Sequence, residues 1–419
     1  MNPSEAPMTN LAMTNLPRAE KTRLHVGFMR LTDAAPLAIA RERGFFEEFG
    51  LDVELIREVS WANIRDKVTV GALDAAQMLA PMPLATSLGL AGQRCQLLTG
   101  LMLNLNGNAI TLATGLHEQL GEGAVPPADP VAAAHGLARW IAGGRRPTFA
   151  TVYSFSTHTL QLRLWLAAGG IDPDTQVRLI VLPPEQMVDS LARGIIDGFC
   201  VGEPWNSAAV QAGVGVVAAS GYEIWNNAPE KVLGVTAHWH RDHPGTHLRL
   251  RLALMRAAEW LADPEHRRQT AIVLSAPHYL DVPESLLLPA LLGNLQYRRN
   301  GPIVRNPDFL VFHRYHAGFP WRSRAESLLR QCLELLNKSL TATEIETLVA
   351  ASYRTDLYRD CAAWLAWPCP SRDEKIEGVH AAAHEFEPGV RLGADLLLDG
   401  SDSGATVSGG ALRPETAPQ

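Results

Sequence analysis

The chain has 419 residues, which exceeds the length at which a single hydrophobic core usually stops growing, so two lobes are the default expectation. Hydrophobic residues make up 47% of the sequence and charged residues 19%, as in globular proteins with a substantial core. The net charge of −7 argues against non-specific nucleic-acid binding, which depends on a basic surface, and means that any anion site must be built locally.

The cysteine pattern and the N-terminal composition predict a soluble, cytoplasmic protein. Residues 1–23 contain short apolar pieces but no continuous hydrophobic stretch of a signal peptide, so we expect a flexible leader that does not direct export. No apolar run elsewhere approaches the roughly 20 residues that span a bilayer, so no membrane contact is expected. The cysteines are scattered, odd in number and without a CxxC pair, as is typical of reduced thiols; they are Cys95, Cys200, Cys332, Cys361 and Cys369.

The first elements predict a β-α-β-α-β unit. Thr32 or Asp33 is a candidate N-cap for the first helix, because short polar side chains accept hydrogen bonds from the free N–H groups there. The predicted elements are a strand over 24–28, a helix between Pro36 and Gly44, a strand over 53–56, a helix with Trp61, Ile64 and Val68 on one face, and a strand over 75–79.

The same order of elements recurs about 123 residues later. Strands are predicted over 149–152, 177–181 and 198–201. Leucines alternate as in a strand over 160–166, but a Ser-Thr start and a Gly-Gly end favour a helix there. The offset pairs Gly71 with Gly194, Asp74 with Asp197, and Pro81 with Pro204. Two similar units, each building a parallel sheet through right-handed crossovers, predict two α/β lobes.

These patterns divide the chain into a leader, two lobes, a return segment and a tail. Lobe 1 begins with residues 24–112, lobe 2 covers 113–232, and residues 233–396 return to lobe 1 and add C-terminal helices. A loop rich in Ala, Gly and Pro is predicted over 121–136, and a disordered tail over 397–419. Ligands of open parallel sheets bind beyond the carboxyl ends of the strands, so the predicted site lies in the cleft between the lobes.

His158 and Asn108 are candidate hydrogen-bond donors in that cleft. His158 lies in the first turn of a predicted helix, where free N–H groups and the helix dipole favour an anion. A histidine satisfied by local backbone is the alternative. Asn108 lies with Asn104 and Asn106 around Gly107, and amides donate to an oxyanion without adding charge. A plain turn would explain the same cluster.

Three further residues are candidates for the walls and the charge of the site. Gly202 follows a predicted strand and lets the backbone approach a ligand closely. Lys231 supplies a compact positive charge, with a solvated surface lysine as the alternative. Trp61 begins a helix, where it could line the ligand or pack in the core.

No motif predicts an enzyme, a metal site or a cofactor. The sequence lacks a GxSxG elbow, a Walker loop and a GxGxxG after the first strand. Four histidines between His238 and His247 cross a Pro-Gly pair and have no accompanying cysteine. His380 and His384 have helical spacing but lack the glutamate of HExxH, so a solvated helix face is the preferred interpretation.

Several segments resemble the nitrate/bicarbonate-binding proteins of ABC importers. The resemblance runs from about residue 24 to 390 and implies a type II periplasmic-binding-protein fold, in which two α/β lobes surround a central cleft and close on ligand like a hinged clamp. The string over 197–205 is the most specific. The segments are 31–37 (LTDAAPL), 40–46 (ARERGFF), 60–61 (SW), 81–83 (PMP), 197–205 (DGFCVGEPW), 229–234 (PEKVLG) and 319–323 (FPWRS).

By position, the resemblance implies that the nitrate-binding residues of the family correspond to Trp61, Asn108, His158, Gly202 and Lys231. Asn108 replaces a glutamine of the nitrate binders, and the shorter amide leaves the choice between nitrate and nitrite open. His158 and Lys231 favour a nitrate-type site over a bicarbonate-type site, as the resemblance implies.

Without a recognised export signal, the chain is similar to the cytoplasmic branch of the family, the NasS-type nitrate/nitrite sensors. That resemblance implies a protein that holds a NasT-type RNA-binding antiterminator inactive and releases it when the anion binds, with no direct nucleic-acid contact. Three alternatives remain: an importer's binding protein whose export signal is missing here, a thiamine-type pyrimidine synthase whose cysteine-rich motif is not found, and the regulatory domain of a transporter ATPase.

Overall fold

The computed structural model describes residues 15–90, 92–121, 129–398 and 400, and two separate β-sheets organise this part of the chain. The strands are β1 Arg23–Met29, β2 Asp52–Glu58, β3 Ala75–Leu79, β4 Leu97–Asn106, β5 Asn108–Ala113, β6 Thr148–Thr151, β7 Arg178–Val181, β8 Gly198–Gly202, β9 Gly215–Ser220, β10 Pro229–Thr236, β11 Asn294–Gln296, β12 Ile303–Arg305, β13 Leu310–Val311, β14 His384–Glu387 and β15 Val390–Leu392. The larger sheet has the order β13-β4-β10-β3-β1-β2, and the second sheet has the order β7-β6-β8-β5-β9. Each sheet is the centre of one lobe.

Helices connect the strands and form most of the C-terminal part. They are α1 Ala35–Glu42, α2 Phe45–Glu48, α3 Trp61–Thr69, α4 Met82–Leu88, α5 Thr114–His117, α6 Pro130–Ala142, α7 Thr157–Ala168, α8 Met187–Ala192, α9 Trp205–Ala212, α10 Gly221–Ile224, α11 Ala237–Asp242, α12 Pro244–Trp260, α13 Pro264–Ser275, α14 Glu284–Leu292, α15 Arg322–Glu334, α16 Ala342–Ser352 and α17 Thr355–Leu365. Short 3-10 turns cover Thr32–Ala34, Pro184–Gln186 and Arg314–His316. Within the described ranges, none of these helices is long and apolar enough to cross a membrane.

The internal repeat predicted from the sequence is confirmed in the strand order. The parallel strands β3-β1-β2 of the larger sheet correspond to β8-β6-β7 of the second sheet. The helix predicted after Ser156 is confirmed as α7, and the Ser156 hydroxyl accepts a hydrogen bond from the Thr159 backbone N–H. The capping box between Thr341 and Glu344 is also present. Local capping chemistry was therefore sufficient to place these elements.

The sheets are not purely parallel, contrary to the expectation from the repeat. β10 runs antiparallel between β3 and β4, and β5 runs antiparallel between β8 and β9. The chain passes to the second sheet at Gly107 and returns in the segment before Pro229. The expected boundaries at 112/113 and 232/233 therefore fall inside β5 and β10. β5 and β10 each follow a point at which the chain crosses from one lobe to the other. Local sequence patterns do not predict such crossings.

Two local predictions are corrected by the structure. Neither Thr32 nor Asp33 caps α1, because both residues lie in a 3-10 turn and their side chains are buried. The loop predicted over 121–136 ends earlier than expected: Asp129 accepts a hydrogen bond from the Val131 N–H and Pro130 begins α6, while residues 122–128 lie outside the described part.

The predicted leader and tail are partly packed. Leu16 is buried, and Glu20 accepts hydrogen bonds from the N–H groups of Gly245 and Thr246 at the start of α12. Residues 1–14 lie outside the described part. At the other end, Leu397 pairs with Trp225 of lobe 2, whereas residues 399 and 401–419 are not described.

Apolar side chains from both lobes share one core, and this contact holds the lobes together. That cluster includes Trp61 and Met78 from lobe 1 and Phe199, Val201 and Trp205 from lobe 2. A second core surrounds α12 and extends to Ala109, Val210 and Val217 of lobe 2, and a third lies within lobe 2. The carboxyl ends of the parallel strands therefore face each other across a closed interface, and the site described below lies there.

Candidate anion-binding site

The structure brings all five predicted site residues to the interface between the lobes. From lobe 1, Trp61 begins α3 and Lys231 lies in β10; from lobe 2, Asn108 begins β5, His158 lies in the first turn of α7, and Gly202 ends β8. Every one of the five is buried. The Ser60 hydroxyl caps α3, and the Ser156 hydroxyl caps α7, so the two helix starts are held by side chains next to the site.

The centre of this group is a residue that the sequence analysis missed, Glu230. Its carboxylate Oε1 contacts both His158 Nε2 and Lys231 Nζ. Its Oε2 accepts a hydrogen bond of 3.1 Å from Asn108 Nδ2. Glu230 is completely buried, and it belongs to lobe 1 while His158 and Asn108 belong to lobe 2. One carboxylate therefore joins the polar groups of both lobes.

Asp33 is a second buried carboxyl group on the other side of Lys231. Its Oδ2 lies 2.8 Å from Lys231 Nζ, and its Oδ1 accepts a hydrogen bond of 2.6 Å from Gln77 Nε2. A Cβ on Gly202 would lie 3.5 Å from Asp33 Oδ2 and 3.4 Å from Leu31 Cδ2. The backbone at Gly202 thus packs against the Leu31 and Asp33 side chains, and the predicted close approach of this glycine to a ligand stays a prediction.

The charged groups of the cluster shift the pKa values of one another because they are buried close together. Burial alone would raise the pKa of Glu230, but His158 and Lys231 outweigh it and lower that pKa to about 2. Burial raises the pKa of Asp33 despite its contact with Lys231. For Lys231, burial is outweighed by the carboxylates of Asp33 and Glu230, so its pKa is raised. Glu230 and Lys231 therefore form a charged pair at neutral pH.

Several polar atoms at the site have no hydrogen-bond partner among the described residues. They are Trp61 Nε1, Asn108 Oδ1 and His158 Nδ1, all buried. The Lys231 ammonium lies 5.4 Å from the centre of the Trp61 ring, within cation–π range. Unpaired buried polar atoms are uncommon in folded proteins and point to a site that receives a ligand.

The arrangement of Glu230 and Lys231 depends on an irregular strand. Adjacent residues of a regular strand point to opposite faces of the sheet. The pairing of β10 with β4 shifts register between Pro229 and Lys231 and again between Lys231 and Val232, and both charged side chains reach the cluster. The sequence contained two signals that could have identified these carboxylates as site residues. Glu230 is adjacent to the predicted site residue Lys231, and Asp33 follows the first strand.

Backbone and ionic contacts also bridge the lobes beside the site. The Thr32 N–H donates to the Glu203 carbonyl at 2.8 Å, and Trp205 Nε1 donates to the Arg30 carbonyl at 3.2 Å. The Arg30 guanidinium lies 2.6 Å from Glu185. These contacts join the segment after β1 to the segments after β7 and β8, so the structure is a closed form with the site sealed between the lobes.

The histidine pairs considered as metal sites do not gather enough ligands. His240 and His247 contact each other through their Nδ1 atoms, and His380 stacks on His384. Across residues 15–90, 92–121 and 129–398, no group of three or more His, Cys, Asp or Glu side chains is placed to hold a metal ion.

Comparison with known proteins gives the same fold and a family. Residues 17–275 match the NMT1-like family. The nitrate import ATP-binding protein NrtC of Synechocystis sp. is 38% identical over 370 residues, which cover 88% of this chain and 53% of that protein. The chain thus spans about half the length of that relative. The nitrate/nitrite binding protein NrtA of Nostoc sp. is 31% identical over 376 residues, covering 86% of this chain and 81% of that protein. Bicarbonate-binding proteins are also among the relatives.

A solved structure is similar over nearly the whole chain. The periplasmic nitrate-binding protein NrtA from Synechocystis PCC 6803 matches with a TM-score of 0.81 and 28% sequence identity, covering 92% of this chain and 97% of that one. More distant matches, such as the ligand-binding component of an import system from Staphylococcus aureus with a TM-score of 0.60 and 16% identity, share the fold alone. The two-lobed fold and the family match together show that this chain belongs to the NMT1-like family of solute-binding proteins.

Proposed function

We propose that this protein binds nitrate or nitrite between its two lobes and catalyses no reaction. The observation that supports this proposal is the convergence of donors from both lobes on Glu230. A carboxylate is a planar oxyanion, and it already accepts contacts from His158, Lys231 and Asn108. Nitrate and nitrite are planar oxyanions as well, and Lys231 and Asn108 each have further N–H groups to donate beside Glu230. The relatives named for nitrate and nitrite add independent support.

The geometry also explains how an anion would change the protein. Asn108 and His158 belong to lobe 2, whereas Trp61 and Lys231 belong to lobe 1. An anion that contacts both sets favours the closed form and increases its population. A micromolar site provides about 8 kcal/mol, which is enough to shift an equilibrium between open and closed forms.

We further propose that closure acts as a signal, as in a cytoplasmic NasS-type sensor. A NasT-type antiterminator that prefers the open form would be released on closure, because coupling between two ligands is reciprocal. The five cysteines are unpaired, which suits a reducing compartment. The partner surface would then include residues whose position depends on closure.

A second candidate is the solute-binding part of an ABC importer. The relatives support it, because NrtA is named for binding nitrate and nitrite and NrtC for nitrate import. The anion site would be the same in both cases, and only the partner would differ. Bicarbonate is the alternative ligand, since bicarbonate-binding proteins are relatives too.

Calorimetric titration of the anion-free protein tests the ligand. Nitrate, nitrite, bicarbonate and sulfate would be titrated in a chloride-free buffer. One-to-one binding of nitrate or nitrite with no heat from bicarbonate is expected. Binding of bicarbonate alone would replace the proposed ligand, and no binding of any anion would remove the function.

The signalling role needs a partner measurement. His158→Ala and Lys231→Ala are expected to retain an antiterminator of the NasT type but to keep it when nitrate is added. Arg193→Ala is the matched control, because Arg193 forms an exposed pair with Asp189 on α8. Normal nitrate-dependent release in either site variant would show that the site is assigned wrongly. Failure of the wild-type protein to hold such a partner would favour the importer role.

A further inference from the structure

The chain crosses between the lobes twice, and the two crossings are bound to each other. Asn106 precedes the first crossing and Asn227 lies in the second, and both have positive φ angles, 57° and 54°. Asn106 Nδ2 donates to Asn227 Oδ1 at 3.3 Å, and the Ala228 N–H donates to Asn106 Oδ1 at 2.9 Å. Rotation of one lobe against the other requires backbone changes at a few residues between them. These paired crossings therefore form the hinge.

A segment near the end of the chain, residues 393–398, runs along the second crossing, and we call it the strap. The Asn226 N–H donates to the Leu396 carbonyl at 2.9 Å, and the Leu398 N–H donates to the Ile224 carbonyl at 2.8 Å. Residues 224–226 belong to lobe 2, because they follow β9 and come before the return to lobe 1. The strap is thus hydrogen-bonded to lobe 2 directly beside the hinge.

The strap is also anchored in the part of the chain that packs on lobe 1. Asp395 is buried, and its carboxylate lies 2.9 Å from Lys375 Nζ and accepts a hydrogen bond of 2.7 Å from the His380 N–H. Two residues before Lys375, the Asp373 carboxylate lies 2.7 Å from Arg359 of α17, a helix that packs on β4. The strap therefore connects both lobes at the hinge, although it is not one of the two crossings.

Asn227 is the point at which the strap meets the hinge. Its Nδ2 donates to the Ala394 carbonyl at 2.8 Å, and the side chain is buried. A Cβ on Gly393 would lie 2.5 Å from Asn227 Nδ2 and 2.9 Å from Tyr315 Cδ2, in the turn after β13 of lobe 1. Gly393 thus fits between the hinge and lobe 1, and a larger side chain there would push the strap away from Asn227.

We propose that the strap holds the cleft closed and so sets the anion affinity from outside the binding site. Rotation of lobe 2 away from lobe 1 would move residues 224–226 relative to the Asp395 anchor and break the contacts of the strap. These contacts belong to the closed form and therefore increase its population. When only the closed form binds well, affinity falls by the factor by which that form becomes rarer.

The strap acts on the same segment that carries the candidate site. Asn227 lies three residues before Glu230, and Asn106 lies two residues before Asn108. A change at the hinge pair therefore moves residues from both sides of the cleft. The inference goes beyond the proposed function, because the strap favours closure whatever ligand the cleft binds.

A distance measurement between the lobes of the anion-free protein tests the inference. Spin labels would be attached to Val59→Cys of lobe 1 and Ile195→Cys of lobe 2, both of which are exposed positions. Cys95 and Cys369 are partly exposed and would be replaced by serine, whereas the three buried cysteines would be kept. Electron–electron double resonance then reports the distribution of distances between the lobes.

Two variants remove the contact between strap and hinge. Gly393→Ala and deletion of residues 393–419 are expected to shift the distances to larger values, and saturating nitrate is expected to restore the wild-type distribution. Calorimetry is expected to show nitrate affinity about threefold to tenfold lower in both variants. Asp395→Asn removes the charge that faces Lys375 and provides a third variant if the deletion does not fold.

Two matched controls keep the strap in place. Deletion of residues 401–419 leaves residues 393–398 intact, and Gly115→Ala adds a methyl group that meets no atom within 4 Å. Both controls are expected to match the wild type in distance and in affinity. Circular dichroism before each measurement selects the folded variants.

The remaining outcomes would overturn the inference. Unchanged distances in folded Gly393→Ala and in the folded deletion would mean that the strap only supports the fold, even if both variants unfolded at lower urea concentrations. Shorter distances or a gain in nitrate affinity would mean that the strap holds the protein open. If the distances lengthened but no variant bound nitrate, the proposed function would be wrong and the role of the strap would remain.

Discussion

Replacing Lys231 with methionine is the sharpest test of the buried charge cluster. The Lys231 ammonium is fully buried, contacts Glu230 and lies 2.8 Å from Asp33. Methionine fills a similar volume but leaves the carboxylates without their cation. Removing one partner of a buried ion pair costs about 3–5 kcal/mol, because an uncompensated charge stays in the interior. We therefore expect Lys231→Met to lower the free energy of unfolding by that amount at pH 7.

Urea unfolding followed by circular dichroism measures this loss, and two further variants identify its cause. Asp33→Asn in the Lys231→Met background removes one of the stranded carboxylates, so we expect part of the stability to return. Acidification is expected to have the same effect, because Asp33 and Glu230 can then take up protons. Arg193→Met is the matched control: Arg193 pairs with Asp189 at the surface and should change stability by less than about 1 kcal/mol. If Lys231→Met cost no more than Arg193→Met, the cluster would not be buried and charged as described.

Three other substitutions test separate parts of the structure. Burial raises the pKa of Glu203 from 4.5 to about 7, so the neutral carboxyl group favours the folded state and stability is lost as the pH rises through that range. Glu203→Gln should therefore add about 3 kcal/mol to the free energy of unfolding at pH 8 and almost nothing at pH 4. Urea unfolding at the two pH values measures this difference. A Cβ on Gly221 would lie 2.0 Å from Asn108 Oδ1, so Gly221→Ala should displace the Asn108 amide. We expect the free energy of unfolding to fall by about 1–3 kcal/mol. Nitrate binding, measured by calorimetry, should weaken about tenfold. Glu185→Gln removes the negative charge that faces Arg30 between the lobes. We expect nitrate affinity to fall about twofold to fivefold, a small effect because both side chains are partly exposed.

Each of these expectations has a control. For Glu203, an equal gain at pH 4 and pH 8 would contradict the assigned pKa. Gly115→Ala introduces a methyl group that meets no atom within 4 Å, so a similar loss in that variant would show that Asn108 is not the cause. Arg163 and Asp174 form a pair within lobe 2, and Arg163→Gln should leave nitrate affinity unchanged if the contact between the lobes is what matters.

The sequence by itself determined the local structure and the outline of the fold. The repeat at an offset of 123 residues predicted two parallel units, because each element carried its own hydrophobic period and its own start and end signals. Ser156 and the capping box at Thr341 are examples in which neighbouring residues decide the outcome. The five site residues were candidates from their positions near predicted strand ends and helix starts and from a resemblance to known binders, and the structure brings them together.

The tertiary structure alone decided the chemistry of the site. Asp33 was interpreted as a helix cap, yet it faces Lys231 and Gln77, which lie far from it in sequence. Glu230 was not among the predicted site residues; a regular strand would place it opposite to Lys231, and the register shifts of β10 accompany the meeting of both side chains in one cluster. The charge of a buried group depends on which other charges lie within a few ångströms of it, through the space between the lobes. Local sequence does not determine the distances between charged groups of different lobes. The contact between Glu230 and His158 therefore depends on how the two lobes pack against each other.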